Sequence, residues 1–273
     1  MRVPAVERMP PVAAAGIVAG RRKWFVLTSV SIGTFMVTLD GSIVNIALPK
    51  IQEAFGVGLS TVEWVVVAYL LIVGTLLLPF GRLGDIIGDK LVYLSGFALF
   101  SGASAFCGLA WSVWALVGFR AVQGLGAAML LAMGPAIVTR AFGSRERGKA
   151  LGLNAISVSV GLSAGPALGG ILTQLGSWRW IFYINVPVGI FAILWAWRIL
   201  NNERLVEAET FDIPGALLSF GALFSILLAL IEGENFGWTS WPVLGLVAAF
   251  VVLSAAFVYV ELRATHPMLD LRL

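Results

Sequence analysis

Apolar residues run through this chain in long stretches, each close to the roughly 20 residues that cross a bilayer as a helix. Short polar or glycine-rich stretches separate them. The pattern predicts eight helices, at about 24–46, 62–81, 91–110, 112–138, 150–172, 180–199, 212–231 and 240–261. Barrel strands would be shorter and would alternate in polarity. The most polar internal separator, "NNERLVEAETF", divides a six-helix bundle (24–200) from a central helix pair (212–262), with 201–211 as a cytoplasmic linker. Residues 1–23 read as a cytoplasmic tail, and 263–273 as the start of a linker towards something further.

Composition supports a membrane as solvent. The 273 residues are 59% hydrophobic and only 12% charged, against roughly 25% charged in soluble domains. Mean hydropathy is +0.94. The net charge of +3 is no argument for nucleic acid, because in a membrane protein the placement of basic residues decides. With the tail inside, 15 of the 18 Lys and Arg residues fall on the cytoplasmic side. Only Lys50 and Arg179 fall outside, and Arg120 lies within a span. Both ends are therefore expected in the cytoplasm of a multi-pass protein of the plasma membrane, the inner membrane if the cell is bacterial. Trp64, Trp111, Trp178, Trp180, Trp238 and Trp241 fall near the outer interface, as an aromatic belt should. One cysteine and one histidine provide neither a disulfide framework nor a Cys/His metal site. The N-terminal run "PVAAAGIVAG" is too short to span, and its basic flank follows it, so it is no cleavable signal.

Two ionisable residues lie deep in apolar spans, Asp40 in the first and Arg120 in the fourth. Each costs a few kcal/mol at least, roughly, unless paired or hydrated. Counted from the same surface, they lie ~9 Å and ~12 Å deep at 1.5 Å per residue, so they can meet. Gln123, three residues after Arg120, shares its helix face. Such a pair either locks two helices statically or serves as a carboxylate that takes and releases a proton beside an arginine.

Two glycine patterns accompany it. In "GRLGDIIGDK", Gly81, Gly84 and Gly88 permit tight turns and close approach, and Asp85 could cap a helix N-terminus. In "SVSVGLSAGPALGG", Ser157, Gly161, Gly165 and Gly169 recur every four residues, a smooth ridge for helix packing. Pro166 and the Gly169–Gly170 pair should bend that helix.

These segments resemble signatures of the major facilitator superfamily. "GRLGDIIGDK" looks like its motif between spans 2 and 3, "LVGFRAVQGLGAA" like its span-4 motif, and "GLSAGPALGG" like its span-5 antiporter motif. "LDGSIVNIALP", "WRWIFYINVPVG", "FDIPGALL" and "HPMLDLRL" are similar to segments of the fourteen-span drug:proton antiporters, the multidrug efflux type. The resemblance implies an all-α polytopic fold: the N-terminal six-helix bundle plus two extra central helices. It implies Asp40 as the acid of coupling and cation recognition, Arg120 as an aid to proton transfer, and Gln123 beside them. Gly81, Asp85, Gly88 and Lys90 would form a cytoplasmic gate. Gly161, Gly165, Pro166, Gly169 and Gly170 would form the antiporter hinge. Two positions depart from the gate pattern: Ile86 stands where arginine is common, and Asp89 where a base is.

The expected function is therefore proton-driven export of amphipathic or cationic small molecules. It uses no cofactor beyond a proton gradient, no metal and no nucleic acid, and it is not enzymatic. Alternating access needs two bundles, so a second six-helix bundle, in a missing C-terminal half or another copy, is an implied partner. Without it, Asp40 and Arg120 are expected to face lipid. The alternatives are a non-transporting membrane fragment or scaffold, and a transporter of one metabolite or antibiotic.

Overall fold

The computed structural model describes residues 12–201, 211–264 and Leu269. The described residues form helices and no strands: α1 (Val12–Phe55), α2 (Leu59–Ile87), α3 (Asp89–Gly108), α4 (Val113–Ala141), α5 (Ser144–Leu175), α6 (Trp180–Tyr183), α7 (Asn185–Ile199), α8 (Ile213–Phe236) and α9 (Trp241–Glu261). Helices α6 and α7 share the sixth span, so eight helical segments are long and apolar enough to cross a membrane. All eight expected spans are present.

Their ends differ from expectation where tertiary packing extends a helix. The first span does not stop before Pro49; α1 runs on to Phe55. Ala47 and Ile51 continue its buried stripe on either side of the proline and have no exposed surface. At its other end α1 begins at Val12, so residues 12–23 of the expected tail are helical, and residues 1–11 lie outside the described residues. The linker is likewise largely outside them at 202–210, as are 265–268 and 270–273. Helix α2 carries straight through Gly81, Gly84 and Asp85 to Ile87. The turn into α3 is made by Gly88 alone, at φ 103°, a conformation that favours glycine. Trp178 is not part of an exposed belt: it is buried and packs against Phe55 and Phe182. Trp111, Trp180, Trp238 and Trp241 are exposed, as expected.

Helix α1 packs along α5, while α4 packs along both α2 and α3; α8 and α9 form a pair joined to the bundle through α8 against α2. Two apolar layers fill the bundle. One gathers Val30, Met36, Tyr93, Phe97, Phe100 and Leu130 with their neighbours. The other gathers Ile43, Ile51, Val62, Leu116, Ile181 and Phe182. Along α1, α3, α4 and α7, the residues between these layers are Asp40, Ser104, Arg120, Gln123 and Asn185.

Close approach depends on absent side chains. A Cβ on Gly126 would lie 2.5 Å from the Phe100 amide nitrogen and 2.8 Å from the Gly96 carbonyl oxygen, so α3 and α4 could not keep their spacing. A Cβ on Gly118, in the same helix, would meet nothing within 4 Å. Gly126→Ala should therefore cost about 1–3 kcal/mol by overpacking, while Gly118→Ala should be neutral or stabilising by up to ~1 kcal/mol. Thermal unfolding of the two variants in detergent checks the contrast.

Candidate functional site

The buried stripe of α4 runs through Val113, Leu116, Arg120, Gln123, Ala127 and Leu130, steps of three and four. Arg120 and Gln123 thus point inward because they occupy core positions. Asp40 likewise lies between Val37 and Ile43 on the buried side of α1. All three have no exposed surface. The expectation that Asp40 and Arg120 face lipid without a partner bundle is incorrect. The six-helix bundle encloses them by itself, because their stripes are its core stripes.

The site is a connected network, and of its buried side-chain nitrogens and oxygens Arg120 Nη2 alone has no hydrogen-bond partner among the described residues. Arg120 Nη1 donates to Asp40 Oδ2 at 2.5 Å and to Gln123 Oε1 at 2.8 Å, and its Nε donates to the Val65 carbonyl at 3.1 Å. Gln123 Nε2 donates to Asp40 Oδ1 at 3.0 Å. The guanidinium lies over the Tyr69 ring, 4.0 Å from its centroid, a favourable cation–π placement. Asn185 was not anticipated. Its Nδ2 donates to Asp40 Oδ1 at 2.7 Å and to Ser104 Oγ at 3.0 Å. Ser104 in turn donates to the Phe182 carbonyl at 2.9 Å.

Asn185 opens α7 at the step from α6. Pro187, two residues on, has no N–H to continue the ladder to Tyr183, which favours a discontinuity there. An asparagine near a proline in an apolar span was the available signal. Its target lies 145 residues away in sequence, and only packing reveals it.

The bonds count one protonation state. Asp40 accepts from three side-chain donors and pairs with a cation, so the network suits the ionised carboxylate. A protonated carboxyl would have a hydrogen directed at donors. Uptake of a proton on either oxygen therefore requires at least one of these bonds to break.

The glycine-rich segment at the end of α2 is also a charge site, though not as a cap. The N-cap of α3 is Gly88, without a side-chain cap bond. Asp85 instead accepts from Arg140 Nη2 at 2.9 Å, and Asp89 accepts from Arg140 Nη1. The acid at position 89 thus doubles the carboxylates facing one arginine of α4. Lys90 faces a backbone oxygen, donating to the Trp197 carbonyl at 2.7 Å. A Cβ on Gly84 would strike Met133 of α4, whereas Gly81 has open space around it.

The ridge of α5 lies on α1. Cβ atoms added at Gly161, Gly165 and Gly169 would come within 3.0 Å of Phe35 O, 3.0 Å of Ile43 N and 3.2 Å of Ile43 O respectively. Gly170 has nothing within 4 Å and takes no part. Despite Pro166, α5 is continuous from Ser144 to Leu175. Proline removes the N–H that would bond the carbonyl four residues before it, that of Leu162. Ser42 Oγ of α1 donates to that carbonyl at 2.9 Å. The expected interruption is replaced by a hydrogen bond between helices.

Together, fold and site define a multi-pass helical membrane protein with a carboxylate–guanidinium pair buried between its spans. The sequence profile of the Major Facilitator Superfamily matches residues 30–266, and the chain belongs to that family. It is 42% identical over 216 residues to the riboflavin transporter RibZ of Clostridioides difficile, covering 79% of this chain and 47% of that one. It is 35% identical over 253 residues to the multidrug transporter protein MdtP of Bacillus subtilis, covering 92% and 47%. It is 38% identical over 251 residues to the tetracenomycin C resistance and export protein of Streptomyces glaucescens, also 92% and 47%. The chain thus spans about half the length of these relatives. Among solved structures, it superposes with a TM-score of 0.60 at 19% identity on a bacterial homologue of the human lysosomal transporter Spinster, in an inward-facing, unoccupied conformation. That likeness covers 87% of this chain and 58% of the other, and it bears on the fold.

The Ser42 bond yields a double-mutant cycle. Ser42→Ala should cost about 1 kcal/mol by leaving the Leu162 carbonyl unmet. In a Pro166→Ala background, the restored N–H satisfies that carbonyl, and the Ser42→Ala cost should fall towards zero. Unfolding free energies of the four chains measure the coupling.

Proposed function

We propose that this chain forms the first part of a proton-coupled exporter of amphipathic or cationic small molecules. In this reading its N-terminus is cytoplasmic, it resides in the cell's inner or plasma membrane, and it works against a second six-helix bundle. The observation that carries the reading is Asp40: a carboxylate with no exposed surface, in the polar layer, ion-paired to Arg120. The names of the MdtP and tetracenomycin relatives support drug export, and the crowding of basic residues at one side supports the orientation.

The chemistry follows from charge balance. With Asp40 ionised, the Asp40–Arg120 pair is neutral. When Asp40 takes a proton at Oδ2, Arg120 keeps its charge and the site becomes net positive. That repels a cationic substrate and favours its release. Tyr69 and the Val65 carbonyl hold the freed guanidinium in place. Returning the proton to the cytoplasm restores the pair. Rocking of the two bundles exposes Asp40 to one side and then the other. The tight α1–α5 contact makes α1 move as one body with α5. The Asp85–Arg140–Asp89 cluster, with Lys90 nearby, lies at the cytoplasmic end and takes part in gating it.

A second reading, a transporter dedicated to one metabolite, draws on the riboflavin transporter at 42% identity. The two differ in substrate and share the coupling site.

The test is transport of ethidium, and of riboflavin in parallel, driven by an imposed proton gradient. It uses vesicles carrying the chain together with the bundle that completes it. Asp40→Asn should lower proton-driven efflux at least about a hundredfold, the scale of losing a positioned proton-transfer group. Counterflow that needs no proton movement should persist. Proton-driven efflux unchanged by Asp40→Asn overturns the coupling role, and riboflavin movement without ethidium movement selects the second reading.

A further inference from the structure

At the end of the bundle that carries Asp85 and Arg140, helices α1, α3, α4 and α7 leave a cavity of about 190 Å³ between them. Its polar lining is Arg22, Lys23, Asp89, Lys90, Arg140 and Asn201. Four cations and one carboxylate are an uneven set. Two of the cations are answered by acids. Arg140 pairs with Asp85 and Asp89, and Lys23 pairs with Glu146 of α5 at 2.6 Å.

The other two are not. Arg22 Nη2 donates to the Ile199 carbonyl at 3.1 Å and to the Asn201 side-chain oxygen. Lys90 Nζ donates to the Trp197 carbonyl. Those acceptors are neutral, and among the described residues neither Arg22 nor Lys90 makes an ion pair. The two backbone carbonyls belong to the last turn of α7, whose negative dipole end draws both cations towards it. Each cation keeps donors to spare, since an ammonium has three N–H groups and a guanidinium five.

We propose that this cavity binds the phosphate of an anionic lipid headgroup, with Arg22 and Lys90 as its principal donors. A phosphate accepts hydrogen bonds from several directions and suits a guanidinium on α1 facing the same cavity as an ammonium on α3. Two further features match a lipid rather than free phosphate. Val26, Ile137, Ala141, Ile199 and Leu200 complete the lining, an apolar wall that accommodates glycerol and acyl carbons and offers a free anion nothing. Trp24 and Phe25, next to Lys23, are 41% and 48% exposed, and Trp197, whose carbonyl Lys90 holds, is 64% exposed. Aromatic side chains exposed at the end of a span mark the depth at which headgroups lie, and basic pockets between spans at that depth hold anionic headgroups. The site would tie α1, α3 and α7 together beside the Arg140 cluster, so its lipid would bear on the same end of the bundle.

The purified chain, in nanodiscs of equal phosphatidylglycerol and phosphatidylcholine, is released into the gas phase and its retained lipids are weighed by native mass spectrometry. Phosphatidylglycerol should be retained in preference. The double variant Arg22→Gln/Lys90→Gln should weaken its apparent affinity roughly thirtyfold, two basic residues' worth, to the level of phosphatidylcholine. The charge-keeping exchange Arg22→Lys/Lys90→Arg should retain it, which separates loss of charge from loss of packing. Lys50→Gln, ~40 Å away along α1, should change nothing. Equal retention by the wild type and the double glutamine variant overturns the site. Displacement of phosphatidylglycerol by inorganic phosphate at low millimolar concentration overturns the lipid as the ligand and assigns the cavity to a soluble phosphate.

Discussion

The Asp40–Arg120 pair governs how this bundle can be assembled. Two charges on core stripes have no good exposure to hydrocarbon, and each costs several kcal/mol to desolvate alone, as an order of magnitude. Their burial is tolerable only if each finds the other and the remaining polar atoms find partners. Gln123, Asn185, Ser104 and the Val65 carbonyl, from four different spans, provide these for all but Arg120 Nη2. The polar layer therefore fixes the register of α1, α2, α3, α4 and α7 more sharply than the apolar layers above and below it. Leucine and valine can slide against each other at modest cost, but a displaced carboxylate cannot.

Register along the helices is matched by closeness across them. No hydrophobic effect holds helices together within lipid, so packing and interhelical hydrogen bonds must. The glycines of α5 against α1, and Gly126 against α3, let backbones approach to distances that any side chain would forbid. The Ser42–Leu162 bond adds a directional tie at the one place where Pro166 breaks the ladder of α5. Helix α1 thus carries both the central carboxylate and the partner surface for α5. A displacement of α5 cannot leave Asp40 untouched.

At the charged end of the bundle, attraction is arranged around a gap instead of a filled core. Arg140 gathers two carboxylates, while Arg22 and Lys90 lean on the last carbonyls of α7 and leave a basic cavity open. The two ends of α1 are consequently unlike in kind. One is closed by Ile43, Ile51, Trp178 and Phe182; the other is open and lined with cations.

Local patterning by itself determined the number of spans, the place of Asp40 and Arg120 inside apolar runs, the small-residue ridge of α5 and the family resemblance. Hydrophobic length and helical spacing are properties of contiguous residues, and each of these features lies within one run. Packing alone decided what encloses the charges, because a residue's depth says nothing of which way its stripe faces. It brought in Asn185 from a distant span, turned Asp85 and Asp89 towards Arg140, and carried α1 past Pro49 and α2 past Gly81. Pro166, read as a break, became an acceptor site for Ser42. In each case the deciding energy was a contact between helices, a hydrogen bond or buried apolar surface, whose two sides lie far apart in the chain.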